Sequence, residues 1–304
     1  MGGNLGAAQA EQCAVSNRLA LGTAQFGLRY GIANRSGQVN RGDARTIVAY
    51  AAEAGLTTLD TAMAYGDSET RLGEIGVAAW QVISKLPALP HGCSEVSSRV
   101  WAQTRDSLRR LRVAQLHGLL LHRPQDLLEQ NGPALYETLQ ALKERGAVEK
   151  IGVSIYDPDE LAVLTPRFRL DIVQAPFNVI DRRLVTSGWL ARLHAAGIDV
   201  HARSLFLQGL LLMESAVRPE YFNRWQSLLK RWQGWLEEQG LTPLRACLGF
   251  VLSHPEVDRA VVGVDCIEHL HAVVADAAKP PVTPPASLTS DDADLINPSR
   301  WTLS

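Results

Sequence analysis

The chain is poor in the features that mark metal scaffolds, disulfide frameworks, membrane spans and nucleic-acid binders. Its four cysteines, Cys13, Cys93, Cys247 and Cys266, stand far apart with no CxxC spacing. That excludes a zinc knuckle or a disulfide scaffold, so no metal is expected and the thiols are read as reduced, in the cytoplasm. A formal net charge of −2 without a run of like charge leaves no electrostatic footprint for nucleic acid or an anionic membrane. No apolar run reaches the roughly 18 residues of a membrane span, and the N-terminal residues combine no basic start with an apolar stretch. Residues 1–17 read as a flexible, unprocessed arm. No GxGxxG follows a first strand, so the doubly wound dinucleotide fold lacks its fingerprint. With no heptad run, a monomer is the default.

What remains is an ordinary globular composition, 46% hydrophobic and 20% charged. Short β-type runs at residues 18–22, 57–60, 81–85, 116–121, 150–154, 172–175, 199–202 and 259–263 alternate with amphipathic helical patterns. The helical patterns cover 42–54, 68–77, 94–111, 132–145, 157–164, 183–196, 220–239 with 243–253, and 266–277. Asp157-Pro158 and Thr242-Pro243 signal helix starts, and Gly55, Gly146, Gly197 and Gly240 signal ends. Alternation of this kind without a linker predicts one α/β domain, a (β/α)8 TIM barrel over 18–278, with a Pro-rich tail at 279–304 as a flap over the site.

The chemistry is concentrated at the strand ends. His122 follows Leu116–Leu121 and precedes Arg123-Pro124, where proline stops a strand. Lys85 ends VISK before Leu86-Pro87, and Asp60 ends TTLD before a small-residue turn carrying Tyr65. In a parallel barrel these C-terminal ends share one face. A tyrosine is a poor acid at neutral pH, but an adjacent ammonium such as Lys85, itself held by Asp60, is expected to lower its pKa. His122 can hydrogen-bond a carbonyl oxygen. The set suits acid-catalysed reduction of a carbonyl, with the hydride brought by a cofactor because no side chain supplies one.

In order along residues 18–277, the segments LALGTAQFG, GLTTLDTAMAYGDSETRLGE, VISKL, LLLHRP, VEKIGVSIYDPDEL and AVVGVDCIEHL resemble the aldo-keto reductases, bacterial members in particular. The resemblance implies a barrel that binds NAD(P)H at its C-terminal face, and a tetrad with Asp60 as the lysine's partner, Tyr65 as proton donor, Lys85 as modulator of Tyr65 and His122 as carbonyl orienter. Ser154 and Gln174 match the positions that hold the nicotinamide carboxamide, while Ile155 replaces the family's asparagine. Arg203 stands where an aromatic stacks on the nicotinamide, and its planar guanidinium suits that place. Ser204, Leu205 and Leu207 would turn backbone N–H groups to the pyrophosphate, with Gly22, Thr23 and Gly209 on further cofactor positions. At the adenosine end Gly263, Asp265 and His269 replace the usual cationic clamp for a 2′-phosphate. NADPH is the first expectation, NADH the alternative.

The substrate is expected to be a small carbonyl compound, sugar-derived ones included, met by Phe26, Tyr30, Arg123 and Trp301. Two other readings stand beside the reductase. Lys85 on a barrel strand suits a Schiff-base, aldolase-type reaction, and the same fold can serve as a non-catalytic nicotinamide-sensing subunit.

Overall fold

In the computed structural model, which describes residues 17–90 and 92–303, eight parallel strands pair in sequence and the last returns to the first, closing a barrel. The strands are β1 (Leu19–Gly22), β2 (Thr58–Asp60), β3 (Gln81–Leu86), β4 (Leu116–Leu121), β5 (Val148–Ser154), β6 (Ile172–Pro176), β7 (Asp199–Arg203) and β8 (Arg259–Gly263). Helices α1 (Arg41–Glu53), α2 (Ser68–Ile75), α3 (Val96–Leu111), α4 (Gly132–Glu144), α5 (Glu160–Leu164), α6 (Trp189–Ala195), α7 (Gln226–Gln239), α8 (Pro243–Leu252) and α9 (Ile267–Ala277) surround it. The expected (β/α)8 barrel is the observed fold.

Strands covered on both faces read as nearly unbroken apolar runs, as in fully buried LALG of β1. The helices turn one apolar stripe inward, Ile47, Val48 and Ala51 on α1 and Leu135, Leu139 and Leu142 on α4. Inside the barrel Ile83, Leu120 and Ile172 form a separate layer. Gly118 leaves room for it, since a Cβ there would lie 2.6 Å from Ile83 and 2.8 Å from Ile172. Asn40 caps α1 through the Asp43 N–H, and Thr242 caps α8, with Pro243 at the first helical position.

Three sequence expectations are adjusted. The helical pattern over 183–196 is two pieces, because Gly188 adopts φ +77° between a short turn and α6. The pattern over 220–239 opens with a 3-10 turn, Glu220–Trp225, and Trp232 is fully buried with Trp235 stacked on it at 5.6 Å. The tail is seated on this β7–α8 insertion. Trp301 meets Phe222 edge-on at 4.9 Å, and Trp225 donates to Asp292 at 2.9 Å. Arg182 donates to the Pro284 and Pro285 carbonyls. The N-terminal arm and Cys13 lie outside the described residues, apart from residue 17. Cys93, Cys247 and Cys266 are free thiols, and no helix among the described residues is long and apolar enough to cross a membrane.

One close approach sets the geometry of the functional end. A Cβ on Gly27, in the short turn after β1, would lie 1.7 Å from the Tyr65 carbonyl oxygen. Gly66, at φ +51°, faces the Gly27 oxygen in return. The turn carrying Tyr65 and the turn after β1 therefore touch backbone to backbone. Gly27→Ala is expected to destabilise the protein by about 1–3 kcal/mol, as overpacking does. An unchanged melting temperature in a circular-dichroism scan would contradict this contact.

Candidate active site

At the C-terminal mouth of the barrel, the ends of four strands converge on one buried carboxylate. Lys85 on β3, 1% exposed, donates from Nζ to Asp60 Oδ1 at 2.7 Å and to the Thr61 carbonyl at 2.9 Å. Gln174 on β6 donates to the other Asp60 oxygen at 2.7 Å, and its own oxygen accepts from Ser154 on β5 at 3.3 Å. A buried charge needs a partner and filled hydrogen-bond positions, and here both oxygens of Asp60 are engaged. Burial pulls the Lys85 pKa down while Asp60 opposes it. Gln174 keeps one N–H and one oxygen lone pair free.

Tyr65 stands above this pair, its ring centre 5.2 Å from Lys85 Nζ and 5.9 Å from the His122 ring, edge-on. Burial first, and the Asp60 carboxylate second, push the Tyr65 phenol well above its ordinary 10.0. The expected depression is overturned, because burial and the Asp60 carboxylate both penalise a phenolate and outweigh Arg203, which acts the other way. His122 is pushed down to about 4 by burial, then by Lys85 and Arg203, and is a neutral imidazole near pH 7. Beneath the Tyr65 turn, Glu69 is buried and accepts from Ser84 and Ser107 at 2.6 Å and from Arg110 at 2.8 Å. This pins α2 to β3 and α3.

A cavity of about 390 Å³ opens beside the tetrad. It is lined by Asp60 and Tyr65 at one end, by Arg203 through Phe206 and Gln208-Gly209 along the side, and by Gly263–Asp265 with His269, Ala272 and Val273 of α9 at the other. The wall after β7 is irregular: Ser204, Leu207 and Gln208 all adopt left-handed φ of 58°, 47° and 52°. Among the described residues, the N–H groups of Ser204, Leu205 and Phe206 donate to no protein acceptor. Consecutive free amides at a left-handed turn form a concavity suited to an anion such as a pyrophosphate. A lining that runs from Tyr65 to His269, this amide cradle and the spare hydrogen-bond capacity of Gln174 fit a dinucleotide with its reactive end at Tyr65.

A sequence model of the Aldo/keto reductase family matches residues 18–284. The chain belongs to the aldo/keto reductase family. Among solved structures, the holo form of the aldo-keto reductase AKR11C1 from Bacillus halodurans superposes with a TM-score of 0.71 at 20% identity, covering 88% of each chain. PA4992 from Pseudomonas aeruginosa, assigned to the aldo-keto reductases, superposes with a TM-score of 0.63 at 23% identity, over 86% of this chain and 90% of that one. No curated protein sequence gives a significant match.

Within this aldo-keto reductase fold the sequence-predicted residues fall into two groups. Gly22, Thr23, Tyr30, Asp60, Tyr65, Gln174, Arg203, Ser204, Leu205, Gly209, Gly263, Asp265 and His269 all line the cavity. Lys85, His122 and Ser154 stand behind or beside that lining, and Leu207 is wholly buried. Phe26 is packed in the core at 0% exposure. Arg123 is tied to Asp126 and, at 2.6 Å, to Glu129 at the surface. Among the described residues of the tail none lines the cavity, and Trp301 packs on Phe222 of the β7–α8 insertion. Arg203 forms no pair with Asp265. Its guanidinium stacks on Tyr156 at 4.4 Å and donates to the Ile155 carbonyl at 2.8 Å and to Ser204 Oγ at 3.2 Å. Gln25 also lines the cavity, and its nearness to Thr23 in the turn after β1 is the signal that points to it; Asn34 lines it from the end of the same loop.

The low pKa of His122 has a sign in stability. A histidine held neutral in the fold and titrating near 6.5 when unfolded contributes stability that is complete above pH 6.5 and is lost as pH falls toward about 4. His201, buried in the barrel wall and pushed down to about 3, acts in the same direction. Denaturant unfolding is expected to show falling stability across that window. A His122→Asn variant is expected to show a shallower fall, and an identical pH profile would exclude His122 as a source.

Proposed function

We propose that the protein is an NAD(P)H-dependent reductase of aldehydes and ketones, sugar-derived carbonyls included, with Tyr65 as general acid. The observation that carries this reading is the clustering of Tyr65, His122 and the Lys85–Asp60 pair at the inner end of a cavity with a built anion cradle. A reduced nicotinamide bound in the cavity supplies the hydride, which no side chain can. The chain's own residues handle the oxygen. His122, neutral near pH 7, offers an N–H to the carbonyl oxygen and orients it. As negative charge gathers on that oxygen, Tyr65 passes its proton to it, and the carbonyl becomes an alcohol. A raised pKa keeps Tyr65 protonated until that moment, and the Arg203 guanidinium, with the Lys85 ammonium 5.2 Å from the ring centre, favours the phenolate left behind. Water restores the proton. Free thiols at Cys93, Cys247 and Cys266 agree with a cytoplasmic setting.

The Schiff-base alternative is less well supported. Lys85 does not line the cavity, and its ammonium already donates to Asp60 and to the Thr61 carbonyl, so a carbonyl substrate has no path to its nitrogen.

Tyr65→Phe removes the acid and keeps the ring. Reduction of a carbonyl panel is expected to fall by about 10²–10⁴-fold in kcat, the range for loss of a general acid, with affinity for the dinucleotide near that of the unaltered protein. Retained turnover in steady-state assays would remove Tyr65 from its assigned role.

A further inference from the structure

The outer end of the cavity bears on which dinucleotide fits it. NADH and NADPH differ in one group, a phosphate on the 2′-oxygen of the adenosine ribose. If the reactive end lies at Tyr65, as the proposed function requires and on which this inference rests, the adenosine must lie at the opposite end. There the cavity leaves the barrel mouth and passes over β8 to the outer helix layer, where His269, Ala272 and Val273 of α9 form its wall.

Asp265 stands at that end. Its carboxylate accepts from the Asn34 side chain at 3.1 Å, which fixes it across the cavity from the loop after β1. Burial raises its pKa, with His269 the one group working against that. Cations are scarce around it. Among the described residues lining the cavity, Arg203 alone is a lysine or arginine, and it sits at the ends of β5 and β7, stacked on Tyr156 and bonded to the Ile155 carbonyl. Its charge acts on Tyr65, Tyr30 and His122. The Asn34 amide is likewise occupied: besides Asp265, it donates to the Tyr30 and Gly37 carbonyls.

We propose that Asp265, held by Asn34, makes this an NADH-selective protein by accepting hydrogen bonds from the ribose 2′-hydroxyl and repelling a 2′-phosphate. A carboxylate placed on a ribose diol reads the hydroxyl directly, and a like charge set against it in a partly desolvated cavity disfavours the phosphate. His269 is the one neighbour able to carry a positive charge, and it lies beside Asp265 itself. This reverses the NADPH preference that family resemblance suggests.

Binding of each dinucleotide to the full chain is measured by isothermal titration calorimetry. NADH is expected to bind at least about 10-fold more tightly than NADPH, a difference of about 1.4 kcal/mol. ADP is expected to displace NADH at least as well as 2′,5′-ADP does, a comparison that needs no altered protein. Asp265→Asn, which keeps the side chain's shape and removes its charge, is expected to narrow the NADH-to-NADPH ratio by a factor of several. Equal or tighter binding of NADPH, with 2′,5′-ADP the better competitor, overturns the role of Asp265 while leaving the reductase reading intact. Absence of binding by both dinucleotides overturns the reductase reading and this inference together.

Discussion

A charged pair inside a barrel is a demand on everything near it. Lys85 and Asp60 are both taken from water, and a pair so placed is tolerable only when each partner's remaining hydrogen-bond positions are filled. The Thr61 carbonyl takes a second proton of Lys85, and Gln174 takes the second oxygen of Asp60. Gln174 is aligned in turn by Ser154. Strands β2, β3, β5 and β6 are thereby registered at their C-terminal ends by polar contacts as well as by the backbone ladder. Removing one partner of such a pair strands the other at a cost of about 3–5 kcal/mol.

The same pair sets the electrostatics above it. Burial first and the Asp60 carboxylate second outweigh the Arg203 guanidinium at Tyr65, and its phenol stays protonated. His122, buried and then faced by the Lys85 and Arg203 cations, stays neutral. The site therefore rests with an acid holding its proton and an imidazole able to donate one hydrogen bond. Charge appears only where a substrate oxygen would generate it, the condition under which preorganised donors act most strongly.

The barrel is legible in the sequence because each strand ends on a stop that chemistry enforces, such as His122-Arg123-Pro124 or Lys85-Leu86-Pro87. The tetrad is legible for the same reason, since side chains at strand ends share one face whatever the loops do. The rest depends on long-range partners that no local pattern encodes. Nothing in the run Arg203-Ser204-Leu205 tells that Tyr156, distant in sequence, occupies one face of the guanidinium. Phe26 reads as a pocket aromatic by position, yet the turn after β1 folds back and buries it. Trp301 finds Phe222 on an insertion distant in sequence. Spacing reveals the ammonium near Tyr65 but not how deeply the phenol is buried, and burial sets the direction of its shift.

TIM barrels are commonly described as scaffolds whose loops vary independently. Here three of them do not. The turn after β1 presses on the Tyr65 turn through Gly27 and Gly66, and the same β1 loop is strapped to the irregular β7 segment by the Ile32 N–H donating to the Gln208 carbonyl at 3.0 Å. Gly209 faces Ala33 across that strap, where a Cβ would come within 2.6 Å of it. An insertion in any one of the three displaces the backbone of another. Diversification of this mouth, whether by natural drift or by transplanting a loop from a relative, must therefore proceed by exchanging the β1, β2 and β7 loops as one inherited block.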